Sequence, residues 1–97
     1  MVKLPAPLSF DWDEGNVDKN WEKHRIHFKE AEEVFFNRPL KIYSDFKHSG
    51  RERRFLAYGI TDRRKGLTIV FTLRDRKIRI MSARYQSKKE RRTYDKK

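Results

Sequence analysis

Four arginines and two tyrosines crowd the end of this chain: Arg79, Arg84, Arg91 and Arg92, with Tyr85 and Tyr94 among them. A guanidinium grips a phosphate with two parallel N–H donors. A tyrosine stacks on a base or passes a proton. With Lys and His, such groups suffice to cut RNA without a metal. One group deprotonates the 2′-hydroxyl, cations stabilise the charged phosphorane, and another group protonates the leaving oxygen. The same set also suits a domain that binds RNA and leaves it intact, so composition alone does not separate the two.

The charge supports a polyanionic partner. The chain has 97 residues and a formal net charge of +11. Residues 74–97 hold eleven Lys and Arg against three acids, and residues 37–73 hold nine against three. Residues 1–36 reverse the balance, with five basic and eight acidic residues. An acidic front and a basic back within one small domain imply two electrostatically different faces. The basic one suits nucleic acid. For residues 95–97 a solvated tail is expected.

His24 and Lys23 are the candidates for proton transfer. A histidine near the end of a helix also simply complements its dipole, and both readings stand. His24, His27 and His48 lack the spacing of a zinc site, and no cysteine helps them. Asp11, Asp13 and Glu14 lie close together, and Asp18 with Glu22 is four apart. They sit on the acidic segment, away from the cations that would hold substrate phosphates, so caps and solvated helix faces explain them better than a magnesium site. Neither a metal nor a cofactor is expected.

The elements that must position these groups follow from periodicity. A short apolar stretch, 8–12, can make one strand. Asp13 is a plausible N-cap, with Val17, Trp21 and His24 following at helical spacing. A second helix is expected over 28–36, with Phe28, Ala31 and Phe35 on one stripe, stopped by Pro39. Strand-like segments follow at 40–44, 53–60, 67–73 and 77–83, and a helix from about Ser87. The expected architecture is α+β: two N-terminal helices, a four-stranded antiparallel sheet and a C-terminal helix. A hairpin tip at Asp75 and Arg76 sets paired positions of the last two strands. Leu73 then faces Ile78, Phe71 faces Ile80, and Ile69 faces Ser82, with Thr72 opposite Arg79, Val70 opposite Met81 and Thr68 opposite Ala83 on the other face. Arg79 projects from the less apolar face, and Arg84 from the end of the core face opposite Leu67. One slipped residue would invert this.

The length gives one domain, 1–97, with an ordered core about 8–94. The absence of cysteine fits a reducing compartment, no signal-peptide pattern opens the chain, and the longest charge-free run, 66–73, is far too short for a bilayer. The expectation is a cytoplasmic protein with no membrane partner.

Two separated stretches carry a family resemblance: WDEGNVDKNWEKHRIHF near the front and RIMSARYQSKKERRTY at the back. The residues are Trp12, Asp13, Asn20, Lys23, His24, Ile26 and Phe28, then Arg79, Ile80, Ser82, Ala83, Arg84, Glu90, Arg91 and Tyr94, with Arg54, Phe55 and Gly59 in the middle. This pattern resembles the BrnT family of bacterial type II toxins. The resemblance implies a RelE-like fold, an endoribonuclease activity that arrests translation, and a cognate BrnA-type antitoxin. It further implies operator DNA contacted only through that antitoxin, which with the toxin represses their own operon. Three departures stand out: Arg25 where the family usually has Gly, Met81 where Ile is usual, and Asn16 in place of a common Lys.

The leading expectation is therefore a metal-independent endoribonuclease toxin. Lys23, His24, Arg79, Arg84 and Tyr94 are its candidate catalytic residues. Arg54, Arg64, Lys88, Arg91 and Arg92 are its candidate RNA contacts. The alternatives are a non-catalytic basic RNA-binding module and, third, a DNA-binding regulator, which lacks an evident helix-turn-helix pattern.

Overall fold

The computed structural model describes residues 4–12, 14–48 and 50–96. The expected cap Asp13 lies outside the described residues, as do the side chains of Val17 and Asn20.

Helix α1 spans Glu14–His24 and carries Lys23 and His24 in its last turn, where cations meet the negative end of the helix dipole. The chain leaves it through Arg25, whose φ of 56° lies in the left-handed region. A side chain there costs roughly 1 kcal/mol. The Arg25 guanidinium lies 5.4 Å over the Trp21 ring, which offsets part of that cost. Helix α2, Phe28–Glu33, starts in a capping box. His27 Nδ1 accepts from the Lys29 amide at 3.2 Å, and Glu30 Oε1 accepts from the His27 amide at 3.1 Å. Its regular part is shorter than the expected 28–36, because residues 34–37 continue as turns. Helix α3, Lys88–Asp95, opens on a second capping box, Ser87 with Glu90. It takes in Asp95, which the sequence reading left in a tail.

Strands β1 (Lys41–Asp45), β2 (Arg54–Ile60), β3 (Gly66–Arg74) and β4 (Lys77–Tyr85) form an antiparallel meander in sequence order. With its three helices the fold is α+β. The stretch 8–12 contributes one parallel bridge, Phe10 to Ile78, on the outer edge of β4. Asp11 N donates to Ile78 O and Ile78 N donates to Ser9 O, each at 2.9 Å. Helix α1 then packs along β4.

The β3–β4 hairpin turns at Asp75 and Arg76, with φ of 51° and 63°, so both central residues are left-handed, as a two-residue turn of this twist requires. Leu73 faces Ile78 and Phe71 faces Ile80, as expected. Beyond that point the expected register fails. Val70 faces Ser82, Ile69 faces Ala83, Thr68 faces Arg84 and Leu67 faces Tyr85. The shift falls between Val70 and Phe71, which leaves Met81 as the extra residue of a β-bulge. The physical reason is burial. An unbroken strand would send Ile78, Ile80, Ser82 and Arg84 to the core, and an unpaired guanidinium there is expensive. The bulge substitutes Ala83, which is fully buried, and turns Arg84 out. Arg79 and Arg84 are five residues apart, and the bulge puts them on the same face of the sheet.

The inner face of the sheet holds the core. Phe55, Ala57, Leu67, Ile69, Phe71, Ile78, Ile80 and Ala83 pack against Ile26, Ala31, Val34 and Phe35 from the α2 region. Phe35 meets Phe71 edge-on at 5.2 Å, and Phe71 stacks on Phe55 at 5.4 Å. A glycine is needed at position 59, where a Cβ would come within 2.5 Å of Val34 Cγ1. The end of α2 can therefore press directly on β2.

Candidate nucleic-acid interface

The outer face of the sheet reads as three cross-strand rows. Asp45, Arg54, Thr72 and Arg79 make the first, with Arg54 placed beside Thr72 by continuing the β2–β3 register one residue. Tyr43, Leu56, Val70 and Ser82 make the second. Lys41, Tyr58, Thr68 and Arg84 make the third.

Helix α3 is tied down over the third row. Glu90 accepts from both terminal nitrogens of Arg84, at 2.6 and 2.7 Å, and from Thr68 Oγ1 at 3.1 Å. It also accepts from the Ser87 amide at 2.9 Å. The Arg84 guanidinium is the main cause that holds the Glu90 carboxyl down at about 2, well below its ordinary value of 4.5, against a smaller opposing effect of burial. Donating to Glu90 in turn raises the Arg84 guanidinium above its ordinary value. At the other end of the helix the Tyr94 hydroxyl donates to Pro39 O at 2.6 Å. Lys41 Nζ donates to Thr93 O at 3.1 Å and to Lys96 O, and lies 5.8 Å over the Tyr94 ring. Burial raises both Tyr94 and Tyr58 above the ordinary phenol value.

The first row has a different character. Thr72 is 3% exposed, and its hydroxyl has no hydrogen-bond partner among the described residues. Its neighbours across the sheet are Arg54 and Arg79. A buried hydroxyl left without a partner is costly, and a phosphate oxygen held by the flanking guanidinia would satisfy it. Tyr43 of the second row and Tyr58 of the third lie with ring centroids 5.4 Å apart, and Tyr43 is 41% exposed. They offer a surface on which a base can stack.

The sequence candidates thus fall into three places. Arg79, Arg54 and Arg84 share the outer face. Lys88, Arg91 and Arg92 are exposed on α3, which crosses that face, and Tyr94 is buried beneath the helix. Lys23 is exposed and His24 half-buried in the last turn of α1, which runs along β4, the strand carrying Arg79 and Arg84. No hydrogen bond or ion pair among the described residues joins either of them to an arginine of the outer face. Arg64, with φ of 67°, lies in the β2–β3 turn, where its charge reaches Tyr94 of α3. The sequence reading pairs Thr72 with Arg79, as the structure does, but misses Thr72 and Tyr58 as site residues. It also missed Glu90 as the partner of Arg84, although Ser87 three residues before Glu90 is a capping-box signature. Among the described residues, no group of three or more His, Asp or Glu is placed to hold a metal ion, and no helix is long and apolar enough to cross a membrane.

The model of the family described as ribonuclease toxin, BrnT, of type II toxin-antitoxin system matches residues 12–90. No curated protein matches the sequence significantly. The matched stretch runs from Trp12, ahead of α1, through all four strands to Glu90, the carboxylate that docks α3 on the sheet. It takes in the outer-face arginines and most of the domain, and the chain belongs to the BrnT family of ribonuclease toxins of type II toxin–antitoxin systems.

Proposed function

We propose that the chain is an endoribonuclease that cuts RNA without a metal and so arrests translation. The observation that carries this reading is the row Arg54, Thr72, Arg79 on the outer face. Two cations flank a buried hydroxyl that has no partner among the described residues, and a tyrosine pair lies on the same face. The 2′-oxygen attacks the adjacent phosphorus as the bond to the 5′-oxygen breaks. The 2′-hydroxyl proton passes to a base, and a proton reaches the leaving oxygen, so the products are a 2′,3′-cyclic phosphate and a 5′-hydroxyl. Arg79 and Arg54 stabilise the phosphorane. Lys23 and His24 remain the proton-transfer candidates. The Arg84 fork is engaged by Glu90 and the Tyr94 hydroxyl by Pro39 O, so both residues act by holding α3 in place. Lys88, Arg91 and Arg92 extend the cationic surface along the strand of RNA.

A toxin of this charge needs an inhibitor. An acidic segment of a BrnA-type antitoxin, lying across the surface from Arg79 to Arg92, offers carboxylates to the cations that hold phosphate. Trp21, Phe36 and Tyr43, which are 46%, 63% and 41% exposed, are candidate apolar anchors. The antitoxin binds operator DNA, and through it the pair represses its own operon in the cytoplasm.

Purified protein is expected to cleave RNA in EDTA, and to bind it with an affinity that falls steeply as salt rises, because phosphate contacts release counterions. Activity lost in EDTA and restored by magnesium would overturn the metal-free mechanism. Salt-sensitive binding with no cleavage would leave only an RNA-binding module.

A further inference from the structure

A second feature lies on the other side of the sheet from the arginine row. An open cleft of ≈ 680 Å³ is lined by Trp21 and Arg25 at the end of α1, His27, Glu30 and Glu33 of the α2 region, residues 62, 63 and 65 of the β2–β3 turn, and Tyr85 at the end of β4. Its volume is in the range of small-ligand sites. Trp21 is 46% and Tyr85 44% exposed, so two large aromatic surfaces meet solvent in one cleft. The Trp21 face already carries the flat guanidinium of Arg25 at 5.4 Å.

The polar groups of the cleft are preset. Glu33 Oε1 accepts from the Asp62 amide at 3.0 Å, Asp62 Oδ1 accepts from Asn37 Nδ2 at 3.0 Å, and Glu30 Oε1 accepts from the His27 amide. Fixed carboxylates repel a phosphate but accept from the amino and imino groups of a base. Arg25, Arg63 and Lys65 line the cleft beside these carboxylates and balance their charge. Lys65 Nζ is 3.8 Å from Glu30, and Arg91 Nη1 of α3 lies 3.0 Å from where a Cβ on Gly66 would stand. Gly66 thus leaves room for a cation that joins the basic face of α3 to the mouth of the cleft. Tyr85 directly follows Arg84 and points to the opposite face, so the cleft begins where the outer surface ends.

We propose that this cleft is a subsite for one unpaired nucleobase of the RNA strand, stacked between Trp21 and Tyr85, while the neighbouring phosphates follow Arg91 back to the outer face. The inference rests on the reading of the protein as an RNA-cleaving toxin. It makes the cleft, and not the arginine row, the place where a base flanking the cut is held.

The test uses a labelled, non-cleavable 2′-O-methyl oligonucleotide and fluorescence anisotropy. Trp21→Ala and Tyr85→Ala are each expected to weaken binding about 5- to 150-fold, the loss typical of one base–aromatic stack. Trp21→Phe is expected to restore most of it. An abasic oligonucleotide of the same length should bind wild type and the Ala variants alike, which a general loss of fold would not produce. If both Ala variants bind the base-bearing oligonucleotide as wild type does, while Arg54→Ala with Arg79→Ala weakens it, the cleft holds no base and the phosphate surface stands. If wild type binds no RNA, the functional reading itself fails. Ala variants that keep RNA affinity but lose antitoxin affinity would assign the cleft to the protein partner and overturn the proposal.

Discussion

Arg79→Ala is expected to give a folded, soluble protein that cuts RNA on the order of 10²-fold more slowly, the usual cost of removing one charge-assisted stabiliser of a transition state. Arg79 sits at a half-buried outer-face position opposite Thr72, outside the core cluster, so its loss should leave the fold intact. Arg79→Lys separates the causes. A lysine keeps the charge but not the planar fork, so partial rescue is expected if the guanidinium grips two phosphate oxygens. Single-turnover rates with saturating RNA, beside a thermal melt of each variant, decide the matter. A well-folded Arg79→Ala that cleaves at the wild-type rate takes this residue out of the site. Arg84→Ala should behave differently, because it strips two donors from Glu90 and loosens α3. Stability and activity should fall together there.

Glu90→Gln carries the largest expected effect on stability. The carboxylate is held at about 2 in the folded protein, against 4.5 as its ordinary value. A folded value below the unfolded one favours folding above the unfolded pKa, and the benefit is lost as pH falls through the folded one. The contribution is therefore complete above about pH 4.5 and disappears toward about pH 2. A shift of that size corresponds to on the order of 3 kcal/mol, reduced to about 2 by solvent screening at the partly exposed Arg84. In a domain of this length that is a melting temperature lower by roughly 8–16 °C near neutral pH. Because glutamine does not titrate, the gap between wild type and variant should narrow below about pH 4.5 and close as the pH is lowered toward about 2. Denaturation midpoints across that range check it, and parallel pH profiles for the two proteins would show that the pair with Arg84 contributes nothing.

Much of this architecture was legible because the local signals agree. Alternating apolar residues in β2 and β3, the two-residue tip at Asp75 and Arg76, and Pro39 after α2 mark four strands and the pairing of the last two with no long-range information. The register of β4 was not legible from the turn alone, since a hairpin tip sets pairing only as far as the strand stays regular. The clue lay in the order Ile78, Ile80, Ala83, where the spacing of small and branched residues changes from two to three. The outer-face constellation was half legible. Arg79 and Arg84 stand out by type, and the hairpin tip already sets Thr72 opposite Arg79. The rest of their company depends on β1 and β2, where Arg54 lies 25 residues upstream of Arg79, and no local pattern announces that it will join them. The role of Glu90 was hidden for the opposite reason. It looks like one more charge on a solvated helix until α3 is laid on the sheet.

The bulge at Met81 makes the relation between the two arginines a matter of counting. Arg79 lies before the extra residue and Arg84 after it, so side-chain parity resets between them. Removing Met81 would restore strict alternation and still leave Ala83 inward and Arg84 outward, because the residue lost is the extra one. Pairing the full-length strand without the bulge would instead turn Arg84 to the core, and the docking of α3 through Glu90 would be lost. The neighbourhood of Met81 should therefore accept loss of the extra residue far better than regular pairing at full length. In this strand side-chain parity, more than residue identity, is what later variation has to preserve.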